Sequence, residues 1–183
     1  GGFIDLNETY IKVNGKLWFY QPADTKYIVK DGKLVWADPR LALSGPVNYT
    51  AVGSPTIIDG VASGFSNSDY GRLPAFPGFN SNFEFNVSFI QTTAGNCGVV
   101  SGSDLYFGGI IVSNNHVGFS GRTTTTGVQF SLYSTKNISL NTPYVANAKR
   151  EGNTLTLKLY KNGVLEETVT GDLTDITFNL DAR

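Results

Sequence analysis

Nucleophile-and-base chemistry in this chain would have to pass through two residues, because it holds one cysteine, Cys97, and one histidine, His116. A base within hydrogen-bond reach activates a thiol. Yet Cys97 sits between Asn96 and Gly98, and His116 follows Asn114-Asn115, so the plainer reading is a small strand or turn residue and a strand-edge polar group. The carboxylates are no better arranged. Retaining glycoside hydrolysis needs two carboxyl groups about 5 Å apart, which a strand supplies at alternate positions. Glu84 is instead the lone acid of its run, and Glu166-Glu167 are neighbours that point to opposite faces. No Gly-x-Ser-x-Gly turn and no phosphate-cradling glycine loop is present. The expectation is therefore no catalytic residue, no cofactor and, with no acidic cluster to supply the oxygens calcium requires, no metal.

Recognition is the chemistry these residue types do support. A glycan site sets an aromatic plane against the apolar face of a sugar and places amide, carboxylate or guanidinium groups for its hydroxyls, on loops that a rigid scaffold presents. Two loop regions carry that mixture: Asp69 with Tyr70, and a second run of Asp104, Tyr106, Asn114, Asn115, His116 and Arg122. Each is also ordinary turn chemistry, since Asn, Asp and Ser are the default turn residues. A net charge of -1 offers no basic footprint for nucleic acid or anionic lipid. The longest apolar or glycine run, Leu105 to Val112, is 8 residues, too short to cross a membrane as a helix, so no membrane insertion is expected.

The elements that must position these residues are strands. Among 183 residues, 16% are charged and 13% aromatic, with 21 Gly, 18 Thr and 16 Asn, a composition of turn-rich β structure. Asn82 to Ser88 alternates, with Phe83, Phe85, Val87 and Phe89 on one face and Asn82, Glu84, Asn86 and Ser88 on the other. Thr154 to Tyr160 does the same with Leu155, Leu157 and Leu159, then turns at Asn162-Gly163. Strands are expected at 47–52, 56–64, 70–73, 82–91, 97–100, 104–112, 116–120, 127–134, 143–150, 153–161, 163–170 and 175–180. That many short one-sided strands predict two packed antiparallel sheets, an all-β sandwich or jelly roll.

Residues 1–44 read differently. Tyr10-Ile11-Lys12-Val13-Asn14-Gly15-Lys16-Leu17-Trp18 is echoed 17 residues later by Tyr27-Ile28-Val29-Lys30-Asp31-Gly32-Lys33-Leu34-Val35-Trp36. Each half is a hairpin, because Asn-Gly and Asp-Gly accept positive φ at both turn positions. Trp18 and Trp36 occupy equivalent positions and are read as packing residues. Asp38-Pro39 through Ser44-Gly45-Pro46 marks a boundary, giving a connector or oligomerisation segment at 1–44 and a sandwich domain at 45–183. Two such hairpins cannot stand alone in water. Either they add strands to the sandwich of their own chain or they associate around a symmetry axis. The chain has no Met and opens Gly1-Gly2, which reads as a piece of a longer protein.

The stretch Tyr144-Val145-Ala146-Asn147-Ala148-Lys149-Arg150-Glu151-Gly152-Asn153-Thr154-Leu155-Thr156-Leu157-Lys158-Leu159-Tyr160-Lys161-Asn162-Gly163 resembles the signature of laminin-G-like domains of the concanavalin A-like lectin/glucanase group, with Tyr144 for the usual Trp and Asn162 for the usual Asp. Val47-Asn48-Tyr49-Thr50 through Asp69-Tyr70 looks like the lead-in strands of such domains in bacteriophage tail and virion proteins. The resemblance covers roughly residues 45–180 and implies a concanavalin A-like jelly roll of two curved sheets. It further implies a carbohydrate- or receptor-binding module of a phage fibre or surface adhesin, located on a virion or cell surface, with a cell-surface glycan or receptor as partner. Fibre proteins of this kind are commonly trimers, which points to a homotrimer through residues 1–44. The alternatives are a virion decoration or spacer domain with no small ligand, and a divergent glycoside hydrolase.

Overall fold

A computed structural model describes residues 1–20, 50–66, 68–73, 76–101, 108–125 and 128–179 in full, and residues 27–30 and 33–36 by their backbone. Every regular element among them is a strand. In chain order these are β1 (Gly2–Val13), β2 (Lys16–Tyr20), β3 (Tyr27–Lys30), β4 (Lys33–Trp36), β5 (Thr50–Val52), β6 (Thr56–Ile58), β7 (Val61–Ser63) and β8 (Tyr70–Arg72). They continue with β9 (Phe83–Gln91), β10 (Cys97–Ser101), β11 (Gly109–Ser113), β12 (His116–Arg122), β13 (Gln129–Asn137), β14 (Pro143–Glu151), β15 (Thr154–Lys161) and β16 (Val164–Asp172). The larger sheet runs β16-β15-β14-β9-β1-β7-β6, with β2 paired to the far end of β1. A four-stranded sheet runs β10-β11-β12-β13, and β3-β4 and β5-β8 form two small sheets. All pairings are antiparallel. The fold is an all-β sandwich.

The core lies between the two large sheets because alternation points one face of each strand inward. Phe83, Phe85, Val87 and Phe89 of β9 are buried while the residues between them are half-buried. Leu155, Leu157 and Leu159 of β15 do the same. Between them β14 contributes Ala146 and Ala148, in register with Val87 and Phe85 on one side and Leu159 and Leu157 on the other. Small residues between large ones let the layer interdigitate. From the opposite sheet come Ile110, Val112, Val117 and Phe119, and the Phe83 and Phe119 rings stack across the gap at 5.3 Å. Arg150 closes one end of the core, donating from Nη1 to the Phe79 carbonyl at 2.7 Å and from Nε to the Gly152 carbonyl at 2.9 Å.

Two-residue turns carry much of the topology. Positive φ at both central positions occurs at Asn14-Gly15, Asp59-Gly60, Asn114-Asn115 and Asn162-Gly163, as type I′ turns require. Asp59-Gly60 divides the single strand expected at 56–64 into the hairpin β6-β7. At the C-terminal end the strand expected at 175–180 is absent from its described part, and Thr123 and Phe178 make an isolated bridge instead. Asn80 takes the neighbour's place there: its Nδ2 donates to the Phe178 carbonyl at 2.8 Å and its Oδ1 accepts from the Phe178 N–H at 2.7 Å. β11 begins at Gly109, and the first part of the strand expected at 104–112 lies outside the described residues.

The first hairpin takes the own-chain arrangement. β1 pairs with β9 along one edge and with β7 and then β2 along the other, so residues 2–20 are built into the sandwich. Leu6, Ile11 and Phe19 join the core. Trp18 packs edge-on to Phe76 at 5.3 Å. The second hairpin, β3-β4, forms in the expected register with Tyr27 opposite Trp36; the Trp36 side chain and all of 37–49, including the expected boundary, lie outside the described residues.

Candidate binding site

Of the expected binding residues, Asp69 and Tyr70 enter a small, hydrogen-bonded unit. β5 and β8 pair with Thr50 opposite Arg72, Ala51 opposite Gly71 and Val52 opposite Tyr70. The connection back to β8 is held by one carboxylate. Asp69 Oδ1 accepts from the Ser54 N–H at 2.8 Å, and Oδ2 accepts from the Ser66 hydroxyl at 2.6 Å and the Ser68 hydroxyl at 3.3 Å. The Ser66 hydroxyl oxygen in turn accepts from the N–H groups of Ser68 and Asp69 at 3.2 and 3.1 Å. Gly53 is required beside it: its φ is +72°, and a Cβ there would run into the Asp69 carboxylate and the Ser68 carbonyl. The Ser66 hydroxyl, then the Ser54 N–H, hold the Asp69 carboxyl below its usual pKa. Both Asp69 oxygens are thus engaged within the loop, and beside it stand a half-buried Tyr70 and an exposed Arg72. These two share a face of β8, with Arg72 Nη2 donating to the Tyr70 hydroxyl at 3.1 Å and the guanidinium carbon 5.8 Å from the ring centre.

The second expected group does not form one site among the described residues. Asn114 and Asn115 are the turn between β11 and β12, with φ of 50° and 64°. The Asn114 N–H donates to Asn96 Oδ1 at 2.9 Å, and the Asn115 carbonyl accepts from the Ile138 N–H at 2.8 Å. His116 opens β12 with its Nδ1 buried and without a hydrogen-bond partner among the described residues. Arg122 ends the same strand six residues on, roughly 20 Å away at strand rise. Asp104 and Tyr106 lie outside the described residues.

Cys97 and His116 are kept apart. Cys97 opposes Val112 and packs against the core, whereas inward Val117 and Phe119 leave His116 on the outer face two strands away. Burial pushes the Cys97 thiol up from its ordinary pKa, which favours the protonated form.

Two constellations escaped sequence reasoning. Arg72 stands two residues after Tyr70, and the alternation of a strand at 70–73 was the signal that could have added it. The other is a polar ladder on the outer face of the larger sheet. Glu84 Oε1 accepts from the Tyr10 hydroxyl at 2.8 Å and from Asn147 Nδ2 at 2.9 Å, Asn147 Nδ2 also reaches Asn86 Oδ1 at 3.0 Å, and Asn86 Nδ2 donates to the Glu8 carbonyl at 2.8 Å. Burial pushes the Glu84 carboxyl up, but the bonds from Asn147 and Tyr10 and the charges of Lys12 and Lys149 outweigh it and leave the pKa lowered. Partners 63 and 74 residues distant in the chain give no local signal. Among the described residues no group of three or more His, Cys, Asp or Glu could hold a metal ion.

No protein-family model, no curated protein and no solved structure matches this chain.

Proposed function

We propose that the chain is a non-catalytic recognition module: a concanavalin A-like jelly roll that binds a cell-surface glycan or receptor and is carried on a phage fibre or surface adhesin. The observation that carries the reading is the Tyr70–Arg72 face. A half-buried aromatic ring and an exposed guanidinium stand side by side next to a loop whose own carboxylate is consumed in holding it, which is the pre-organisation a ligand site needs. The antiparallel two-sheet sandwich is consistent with the jelly roll. Assembly as a homotrimer belongs to the same proposal, and light scattering reads it directly.

A spacer or decoration role is favoured by a different observation. The outer face of the larger sheet satisfies its central carboxylate internally through Tyr10 and Asn147, as a wall built for stability would. A glycan array separates the two. Reproducible hits that weaken with Ala at Tyr70 or Arg72 support recognition, and a blank array leaves the spacer.

A further inference from the structure

A saccharide recognised by the β5-β8 face would meet a particular set of groups. Antiparallel partners share a face, so Thr50 and Val52 lie beside Arg72 and Tyr70. The face therefore offers one ring, one guanidinium, two hydroxyls and a few methyl groups, and it contributes no carboxylate: the nearest acid in sequence, Asp69, has both oxygens committed to Ser54, Ser66 and Ser68.

Arg72 is the unusual member. Among the described residues its one hydrogen bond goes from Nη2 to the Tyr70 hydroxyl, and no acidic side chain forms an ion pair with it. Arg150, by contrast, spends its guanidinium on two backbone carbonyls inside the fold. A guanidinium carries five donors in a planar fork, so Arg72 keeps most of its donors while the Tyr70 contact fixes its direction. A planar fork with unspent donors suits a carboxylate, which it binds in a bidentate, charge-assisted way. The adjoining ring suits the apolar C–H face of a pyranose. A neutral sugar would leave the charge of Arg72 unanswered.

We propose that Tyr70 and Arg72 form a subsite for a carboxylated saccharide, with the carboxylate on the Arg72 guanidinium and the sugar ring against Tyr70. This rests on the recognition reading above and narrows it to acidic glycans. Val52 and Thr50 border the subsite, and the Asp69 loop positions it.

The test is binding of the whole chain to an immobilised panel of uronic- and sialic-acid-containing oligosaccharides, each printed beside its carboxyl-reduced, neutral counterpart. Expected are hits on the carboxylated members that fall about tenfold or more on carboxyl reduction, the size of a lost charge-assisted bond. Arg72→Gln should lower acidic-glycan affinity to the level of the reduced counterpart, Arg72→Lys should fall between, and Tyr70→Phe, which keeps the ring but removes the hydroxyl that directs the guanidinium, should fall between as well. Arg72 is exposed, so each variant should keep the parent's denaturation midpoint, which excludes unfolding as the cause. Equal binding to carboxylated and reduced partners, or acidic-glycan binding indifferent to Arg72→Gln, overturns the subsite while leaving recognition standing. Absence of binding across the panel overturns the subsite, and the recognition reading falls with it only if the full glycan array is blank as well.

Discussion

The sandwich and the small β5-β8 sheet are held together by opposite means. Between the large sheets, twenty-odd apolar side chains interlock, and no single polar contact decides the geometry. In the β5-β8 unit one carboxylate in contact with water ties Ser54, Ser66 and Ser68 around the start of β8. The difference is one of reach. Apolar burial is cooperative and spreads a loss through the domain, whereas a solvent-exposed hydrogen-bond cluster fails locally. A surface that must present residues to a partner is better served by the second kind, because its conformation can be specified without being part of the core.

The largest expected effect therefore belongs to the core. Phe85 is 2% exposed and touches the rings of Phe76, Phe79, Phe83 and Phe119. Phe85→Ala should cost about 3–5 kcal/mol in chemical denaturation. A loss below about 1 kcal/mol would mean that the aromatic cluster is not the cooperative unit. Next comes the first hairpin. Ile11, 1% exposed on β1, should cost roughly 2–4 kcal/mol on replacement by Ala. An unchanged midpoint for Ile11→Ala would return residues 1–20 to the role of an appendage and leave them available for assembly.

A smaller effect sits where the two sheets meet. Glu167 of β16 reaches the edge strand β13, with Oε2 accepting from the N–H groups of Thr135 and Lys136 at 2.8 and 3.2 Å and Oε1 accepting from the Thr135 hydroxyl. Burial pushes its carboxyl up, but these bonds, with the charge of Lys136, outweigh it and lower the pKa. A carboxyl whose folded pKa lies below its unfolded value stabilises the fold above the unfolded pKa, and that contribution disappears as pH falls through the folded pKa. Glu167→Gln should cost about 1 kcal/mol near neutrality, with the gap from the parent closing as pH drops below about 4. Denaturation midpoints of both proteins, compared from pH 7 downward, read this directly, and a gap that is constant or grows on acidification contradicts the clamp.

Legibility of the sequence followed the range of the interaction. The alternation of Phe83 to Phe89 and of Leu155 to Leu159 reports which face is buried, so the all-β sandwich could be read from period alone. Asn14-Gly15 and Asn162-Gly163 reveal their turns because backbone conformation there is set by two residues. Asp59-Gly60 carries the same signal and was lost inside a run of β-branched residues. What turn chemistry cannot say is where a hairpin docks. Tyr10–Trp18 and Tyr27–Trp36 share a pattern, yet β1 is an interior strand and β3-β4 is a sheet of its own. The eight extra residues at the front of β1, among them Leu6, let it lie between β9 and β7. The site was legible in the same uneven way. The alternation at 70–73 puts Tyr70 and Arg72 on one face, whereas nothing local reveals that Ser54, 15 residues earlier, donates to an Asp69 oxygen.

The smallest effect on global stability and the sharpest on local order should come from Asp69. Replacing it by Asn removes the negative charge and one acceptor oxygen, so the Ser54 N–H bond to Oδ1 and the Ser66 and Ser68 hydroxyl bonds to Oδ2 cannot all survive, while the apolar core is untouched. Asp69→Asn should leave the denaturation midpoint unchanged within error and raise amide hydrogen exchange across residues 53–54, 66 and 68–72. Because the folded pKa of Asp69 is lowered, acid should act as the mutation does: order in this loop is present above the unfolded pKa and is lost as pH falls through the folded one. Protection of these amides in the parent should therefore fall at low pH toward that of the variant, after correction for the intrinsic pH dependence of exchange. A drop in midpoint as large as that of Ile11→Ala would show instead that the loop is continuous with the core. The contrast between a region held by packing and a region held by one carboxylate would then dissolve.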